Sequence, residues 1–287
     1  TTDLLMAQSI PTLTGYARTY ANVGKTKNFG YDLTFNFVPV RTKDFEWNIG
    51  VNAAYSRNEI VSLANGKEDD PANGWFIGES TNSIYTYESA GLWKEEDRAD
   101  MEKFNANGHD FQIGMARPVD QNGDYKIDAN NDRTIVGHYD PRWTLGLNTN
   151  FTYKGWDLGI QLYGRMGFKY YDSSVWVGGR YNVRDYDYYN ENNKNAAHPK
   201  PIYDEGGKDA YYNETYLKNG SYLKIRNISL GYTFPNRLLT HTGLSALRMY
   251  AQIKNPGYIF SGCKTLDLDT YSNTYNSGFT FGLNLSF

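Results

Sequence analysis

The last eleven residues, Ser277–Phe287 (SGFTFGLNLSF), constrain the fold of this chain more than any other stretch. Phe279, Phe281, Leu283, Leu285 and Phe287 hold the odd positions, and Gly278, Thr280, Gly282, Asn284 and Ser286 hold the even ones. A period of two kept without error marks a strand whose two faces meet different surroundings. A membrane-crossing strand needs about 9–11 residues, with apolar side chains toward lipid and small or polar ones on the other side. This segment has that length and alternation, and its terminal aromatic suits a bilayer interface. Taken alone, it fits an amphipathic strand of a soluble sandwich equally well.

Six more stretches repeat the pattern. Trp143, Leu145, Leu147, Phe151 and Tyr153 alternate with Thr144, Gly146, Asn148, Asn150 and Thr152. Trp156, Leu158, Ile160, Leu162, Met166 and Phe168 oppose Asp157, Gln161 and Arg165. The same holds for Phe29–Phe37, for Phe45–Tyr55, for Leu247–Ile253 and for Ile228–Phe234. Soluble sandwiches rarely keep so strict a phase over so many strands, because theirs are short and interrupted by bulges. The expected class is therefore all-β, a transmembrane antiparallel barrel.

Composition agrees. No run of 18 apolar residues exists, which excludes a transmembrane helix but not a barrel, whose polar face dilutes the signal. The 26 Tyr suit interfacial belts and polar binding surfaces. With 29 Lys+Arg against 32 Asp+Glu, the net charge of −3 is too balanced for a nucleic-acid binder. Cys263 is the only cysteine, so there is no intrachain disulfide. No secretion signal precedes the first strand, and the chain is expected to be a piece of a longer protein.

The connections set a topology. Short links at 38–44, 154–155 and 235–246 alternate with long ones at 59–141, 169–220 and 259–274, and 6–26 is expected to be another long one. Tight periplasmic turns alternating with large extracellular loops are what an outer-membrane barrel shows. Seven spanning strands, with the tail of an eighth at the N-terminus, cannot close without leaving an edge unpaired in lipid, so more strands than these are expected. In 223–235 the phase breaks, since Leu223 and Ile225 lie on the opposite parity from Ile228 and Leu230. A bulge near Arg226 or an upper part projecting beyond the bilayer would explain it, and the second is preferred here. Within 59–141, KEEDRADMEKFN places Met101 and Phe104 at helical spacing, and Ile84–Trp93 reads as a strand of the loop itself.

Three stretches carry a resemblance: NVGKTKNFGYDL at Asn22–Leu33; AGLW at Ala90–Trp93 with VDQNGDYKIDANNDRTIVG at Val119–Gly137 and Pro141; and YKGW at Tyr153–Trp156 with Asn255 and the aromatic terminus. In this order they resemble the C-terminal third of SusC/RagA-family TonB-dependent transporters, with Asp32 where that family usually has Glu. The resemblance implies that the chain supplies about the last seven to eight strands of a barrel of about 22, in the bacterial outer membrane, with the loops extracellular. It further implies import of oligosaccharides or peptides, a SusD-like lipoprotein lid, and energy from the TonB complex through a plug that these residues do not include. A passive porin-like barrel and a secreted calcium-dependent glycan-binding β domain are the alternatives.

The strongest chemical motif is Asp120-x-Asn122-x-Asp124-x-Lys126-x-Asp128. Its oxygens follow the spacing by which an EF-hand loop encloses Ca²⁺, with Lys126 contributing its carbonyl and Asp132 completing the set as a structural site. Two departures stand out: Tyr125 occupies the turn position that favours Gly, and Asn131 the position of the bidentate acid. A solvated turn is the plainer reading, because Asp, Asn and Gly dominate turns. Trp75, Phe76, Trp93, Trp176 and Tyr181 are candidate sugar-stacking platforms, or else they pack the loops. The four His are scattered, with no HExxH, no GxSxG and no complete P-loop, so no enzyme is expected.

Overall fold

In the computed structural model the description covers Thr2, 4–9, Gly15, 18–64, 66–172, 187–201, 209–263, 266–270 and 276–287. The strands, in chain order, are β1 (Leu4–Ser9), β2 (Arg18–Arg41), β3 (Phe45–Ser62), β4 (Ser83–Tyr87), β5 (Ser89–Leu92), β6 (Ala116–Pro118), β7 (Arg133–His138), β8 (Trp143–Tyr153), β9 (Trp156–Met166), β10 (Lys169–Tyr171), β11 (Leu217–Asn219), β12 (Tyr222–Thr233), β13 (Ala246–Ser261) and β14 (Gly278–Ser286). One helix, α1 (Arg98–Ala106), follows a short 3₁₀ turn at Glu95–Asp97. Among the described residues no helix is long and apolar enough to cross a membrane.

Eight strands form one sheet in the order β1-β2-β3-β8-β9-β12-β13-β14. Neighbours in sequence are neighbours in space, and the excursions between them form three separate two-stranded pairs, β4-β7, β5-β6 and β10-β11. Two units result. The wall unit comprises Phe29–Arg57, Pro141–Phe168 and Gly220–Phe287, and the loop unit comprises Thr1–Asn28, Asn58–Asp140 and Lys169–Asn219.

Register turns the alternation of single strands into continuous rows. One row runs Trp47, Phe151, Leu158, Leu230, Ala251, Phe281 across six strands. A second runs Ile49, Thr149, Ile160, Ile228, Ile253, Phe279. Both lie on one face, where Phe279 and Phe281 keep 72% and 81% of their surface exposed. An apolar face of this extent, uncovered by any other described element, calls for hydrocarbon as its solvent. Aromatics gather toward both ends of the wall strands on that face. Tyr31, Tyr55 and Trp143 have ring centroids 5.0–5.8 Å apart, and Trp47 stacks on Phe151 at 5.4 Å while Trp156 meets Tyr232 at 4.7 Å. From Phe45 to Tyr55 the strand rises about 33 Å, or roughly 25 Å along a bilayer normal at a tilt near 40°.

The tight turn at Lys154–Gly155 has φ of 46° and 91°, the two positive values that a type I′ hairpin requires. Two expectations are corrected. The link expected at 6–26 is instead mostly strand, because β1 pairs with Arg18–Gly24 of a β2 that starts at Arg18. The phase break in β12 is a bulge: register shifts between Ile225 and Asn227 against both β9 and β13, leaving Arg226 unpaired. One extra residue swaps the faces on either side of it, so no projection beyond the bilayer is needed to explain the parity.

Replacing Ile160, in the middle of β9 on the apolar face, with Arg is expected to cost roughly 2–4 kcal/mol, whereas Gln161→Arg on the opposite face costs little. Urea titration of the protein folded in lipid vesicles measures both, and equal losses would reverse the face assignment.

Candidate functional site

The face opposite the apolar rows is polar across its whole width. One row there reads Asn48, Asn150, Gly159, Ser229, Gln252, Thr280. The next reads Glu46, Thr152, Asp157, Gly231, Tyr250, Gly282. Arg248 of β13 reaches over β12 to Asp157 of β9, with Nε–Oδ1 at 2.9 Å and Nη2–Oδ2 at 2.5 Å. Gly231 makes that span possible, since a Cβ there would come within 2.5 Å of Arg248 Nη2 and 2.6 Å of Asp157 Oδ1.

Further along this face, Lys224 of β12 is buried to 1% exposure and donates to both oxygens of Asp267, at 3.1 and 2.9 Å. Its ammonium lies 3.5 Å from Asp269, and the Tyr258 hydroxyl also donates to Asp267. Arg226 donates to Asp269 at 2.9 and 3.0 Å, and Tyr222, which is fully buried, reaches the same carboxylate at 3.3 Å. Burial would raise the Asp267 carboxyl, but the bonds from Tyr258 and Lys224 outweigh it and hold the group below the usual range. Residues 266–270 are thus strapped onto the polar face, with Leu268 at zero exposure. Breaking a pair this deeply buried leaves an uncompensated charge, which costs about 3–5 kcal/mol. Sequence reasoning missed this cluster. Its one signal was a lysine inside LKIRNI, at the strand that broke phase.

In the loop unit, Trp93, Met101, Phe104, Phe111, Met115 and Ile127 form a buried core. Both residues expected on the inner side of the helix, Met101 and Phe104, are in it. Trp93 is only 1% exposed, with the Arg117 guanidinium 4.6 Å over its ring, so it offers no face to a sugar and packs the loop instead. Phe76 is half-buried against Tyr85 at 4.6 Å, and Trp75 is half-buried in a turn closed by Asp70. These three do not assemble into one platform, and Trp176 and Tyr181 lie outside the described residues.

The acidic loop is tightly organised. Asp120 accepts from the N–H of Gly123 (2.7 Å) and of Tyr125 (2.8 Å), and Asp124 accepts from that of Lys126 (2.8 Å). Asn122 donates to Asp124 at 3.0 Å. Asp128 accepts from Asn130 and Asn131, which hold its carboxyl below the usual range, the Asn131 side chain contributing most. Asp132, at zero exposure, accepts from the N–H of Gln121 (2.9 Å) and Asp128 (2.7 Å). Tyr125 adopts φ 60°, the left-handed turn for which an EF-hand loop uses glycine. Among the described residues no three acidic, His or Cys side chains converge where a metal ion could be held. The carboxylates bind the loop's own amides.

Comparison with known proteins decides the family likeness. No family model matches the chain. Over 310 aligned positions it is 28% identical to the TonB-dependent receptor SusC of Bacteroides thetaiotaomicron, covering all of this chain and 29% of that one. To the TonB-dependent receptor P3 of Formosa agariphila it is 26% identical over 319 positions, again over its whole length and 31% of the relative. The RagAB peptide transporter structure superposes on all of it, with a TM-score of 0.70, 25% identity and 32% of that chain covered. The chain is SusC/RagA-like. It spans about a third of the length of the relatives it matches. This SusC/RagA-like chain therefore has the fold of part of a bacterial outer-membrane β-barrel. The relatives it matches are receptors and transporters rather than enzymes.

One pH response follows from the loop unit. His109 Nε2 accepts the N–H of Ile127 at 3.0 Å, which requires a neutral ring, and burial lowers its pKa against the opposing pull of Asp132. A histidine held below its unfolded value of about 6.5 stabilises the fold above that pH, and the contribution is lost as pH falls through the folded value. Limited proteolysis of the 109–132 region is expected to accelerate below about pH 6.5, and His109→Gln is expected to flatten that pH dependence.

Proposed function

We propose that this chain forms part of the wall of a TonB-dependent outer-membrane importer for oligosaccharides or peptides, working with a SusD/RagB-like surface lipoprotein. The observation that carries the reading is the two-faced sheet. Cross-strand rows that are apolar except at Thr149 cover one side, and the other is a polar surface of amides, hydroxyls and paired charges. A wall of that kind separates lipid from a hydrated conduit. The likeness to SusC and to the RagAB peptide transporter supplies the energised part of the reading. In this reading the loop unit faces the cell exterior. Uptake of a labelled oligosaccharide or oligopeptide pool by cells carrying the protein is expected to disappear in a strain lacking TonB. Uptake that persists there would make the barrel a passive pore, and recovery of the protein from the soluble secreted fraction would make it a glycan-binding domain.

For the acidic loop we propose Ca²⁺ as a structural ion, held by Asp120, Asn122, Asp124, the Lys126 carbonyl, Asp128 and Asp132. The spacing of these oxygens and the left-handed Tyr125 support it. Against it stands the network of internal N–H donors, which satisfies the same oxygens without an ion. Calcium at millimolar concentration is expected to slow proteolysis of the loop, and Asp124→Ala to abolish the effect. Identical digestion with calcium and with a chelator would leave the loop self-sufficient.

A further inference from the structure

On the polar face of the wall, two guanidinium groups flank one aromatic ring. Arg165 of β9 donates from Nε to the Tyr163 hydroxyl at 3.0 Å. Arg226, freed by the bulge, lays its guanidinium 3.9 Å from the centre of the same ring. Register places Tyr222 beside Arg165 and Lys224 beside Tyr163, so all of these residues share that face. Among the described residues of this cluster the charges do not cancel. Lys224, Arg226 and Arg165 face two carboxylates, Asp267 and Asp269, and those two are already taken by Lys224 and Arg226. Arg165 is left with both terminal nitrogens making no hydrogen bond among the described residues. Lys254 adds positive charge on the same face, opposite Asn227. Further along the same face, Asp157 is held by Arg248.

The geometry points to an anion subsite: we propose that Arg165, backed by Arg226 across the Tyr163 ring, accepts a carboxylate of the transported molecule. A guanidinium pinned at Nε presents its two terminal N–H groups as a fork, and a carboxylate matches that fork with two parallel hydrogen bonds. The Tyr163 ring fixes both planes in advance, which lowers the ordering cost of binding. The strap at 266–270 neutralises Lys224 and Arg226 and leaves Arg165 as the open cation of the group. This inference rests on the reading that the polar face lines the conduit. It adds a preference, within that cargo class, for molecules bearing a carboxylate, whether a peptide terminus or a uronic acid.

Calorimetry on the intact protein in detergent tests it with four probes: N-acetylated tetra-alanine with a free carboxylate, its C-terminal amide, trigalacturonate, and the methyl ester of trigalacturonate. At least one acid is expected to bind about tenfold more tightly than its neutral partner, as a charge-assisted bidentate bond would give. That gap is expected to narrow in high salt. Which acid shows the gap identifies the source of the carboxylate. Arg165→Gln is expected to remove the gap without changing the neutral probe, and Arg165→Lys to restore only part of it, since the charge returns without the fork. An unchanged urea midpoint shows that the variants fold. Equal affinity of acid and neutral probes, no binding of either acid, or a gap that survives Arg165→Gln each overturns the subsite. TonB-dependent uptake of neutral cargo would persist in those cases if the transport reading is right, so the two can fail separately.

Discussion

A backbone amide in hydrocarbon has no water to bond with, so each strand that crosses a bilayer must find its partners in the strands beside it. That demand explains why the sheet of this chain is continuous through eight strands although long excursions interrupt the sequence between them. It also explains why side chains sort so cleanly. With every backbone group committed to the ladder, a residue can respond to its surroundings only by pointing to one face or the other. The apolar rows through Phe281 and Phe279 and the polar rows through Gln252 and Tyr250 are two consequences of the same pairing.

Once one face is given to lipid, charge has a single place to go. On the polar face it is arranged in pairs that join segments distant in sequence. Asp157 and Arg248 meet over Gly231, and Lys224 lies buried under the strap that carries Asp267 and Asp269. Arg165 breaks this pattern of closed pairs, and that exception carries the anion subsite.

The loop unit obeys different rules. Its core is built on Trp93 and α1 in the manner of a small soluble domain, with apolar side chains inside and the acidic loop stitched by hydrogen bonds between Asp side chains and the backbone. Aromatics that look like ligand platforms in a sequence are here divided between packing and partial exposure. A composition rich in rings does not distinguish these uses, because the same flat apolar surface serves both.

The sequence by itself determined the wall. Period-two alternation depends on adjacent residues alone, so seven strands, their faces, the Lys154–Gly155 turn and the helix bearing Met101 and Phe104 were all legible, as was the likeness to SusC/RagA-type chains. What the tertiary structure decided are matters of register and of contact across long separations. The bulge at Arg226 shows only when β12 is laid against β9 and β13, because a one-residue insertion and a change of solvent leave the same trace in a single strand. The strand content before Asn28 depended on pairing with β1. The Lys224–Asp267 pair joins residues 43 positions apart, and the burial of Trp93 depends on Arg117, Phe104 and Phe111 closing around it. Local pattern reports which face a side chain prefers; only the folded chain supplies its partner, since a partner distant in sequence leaves no periodic mark.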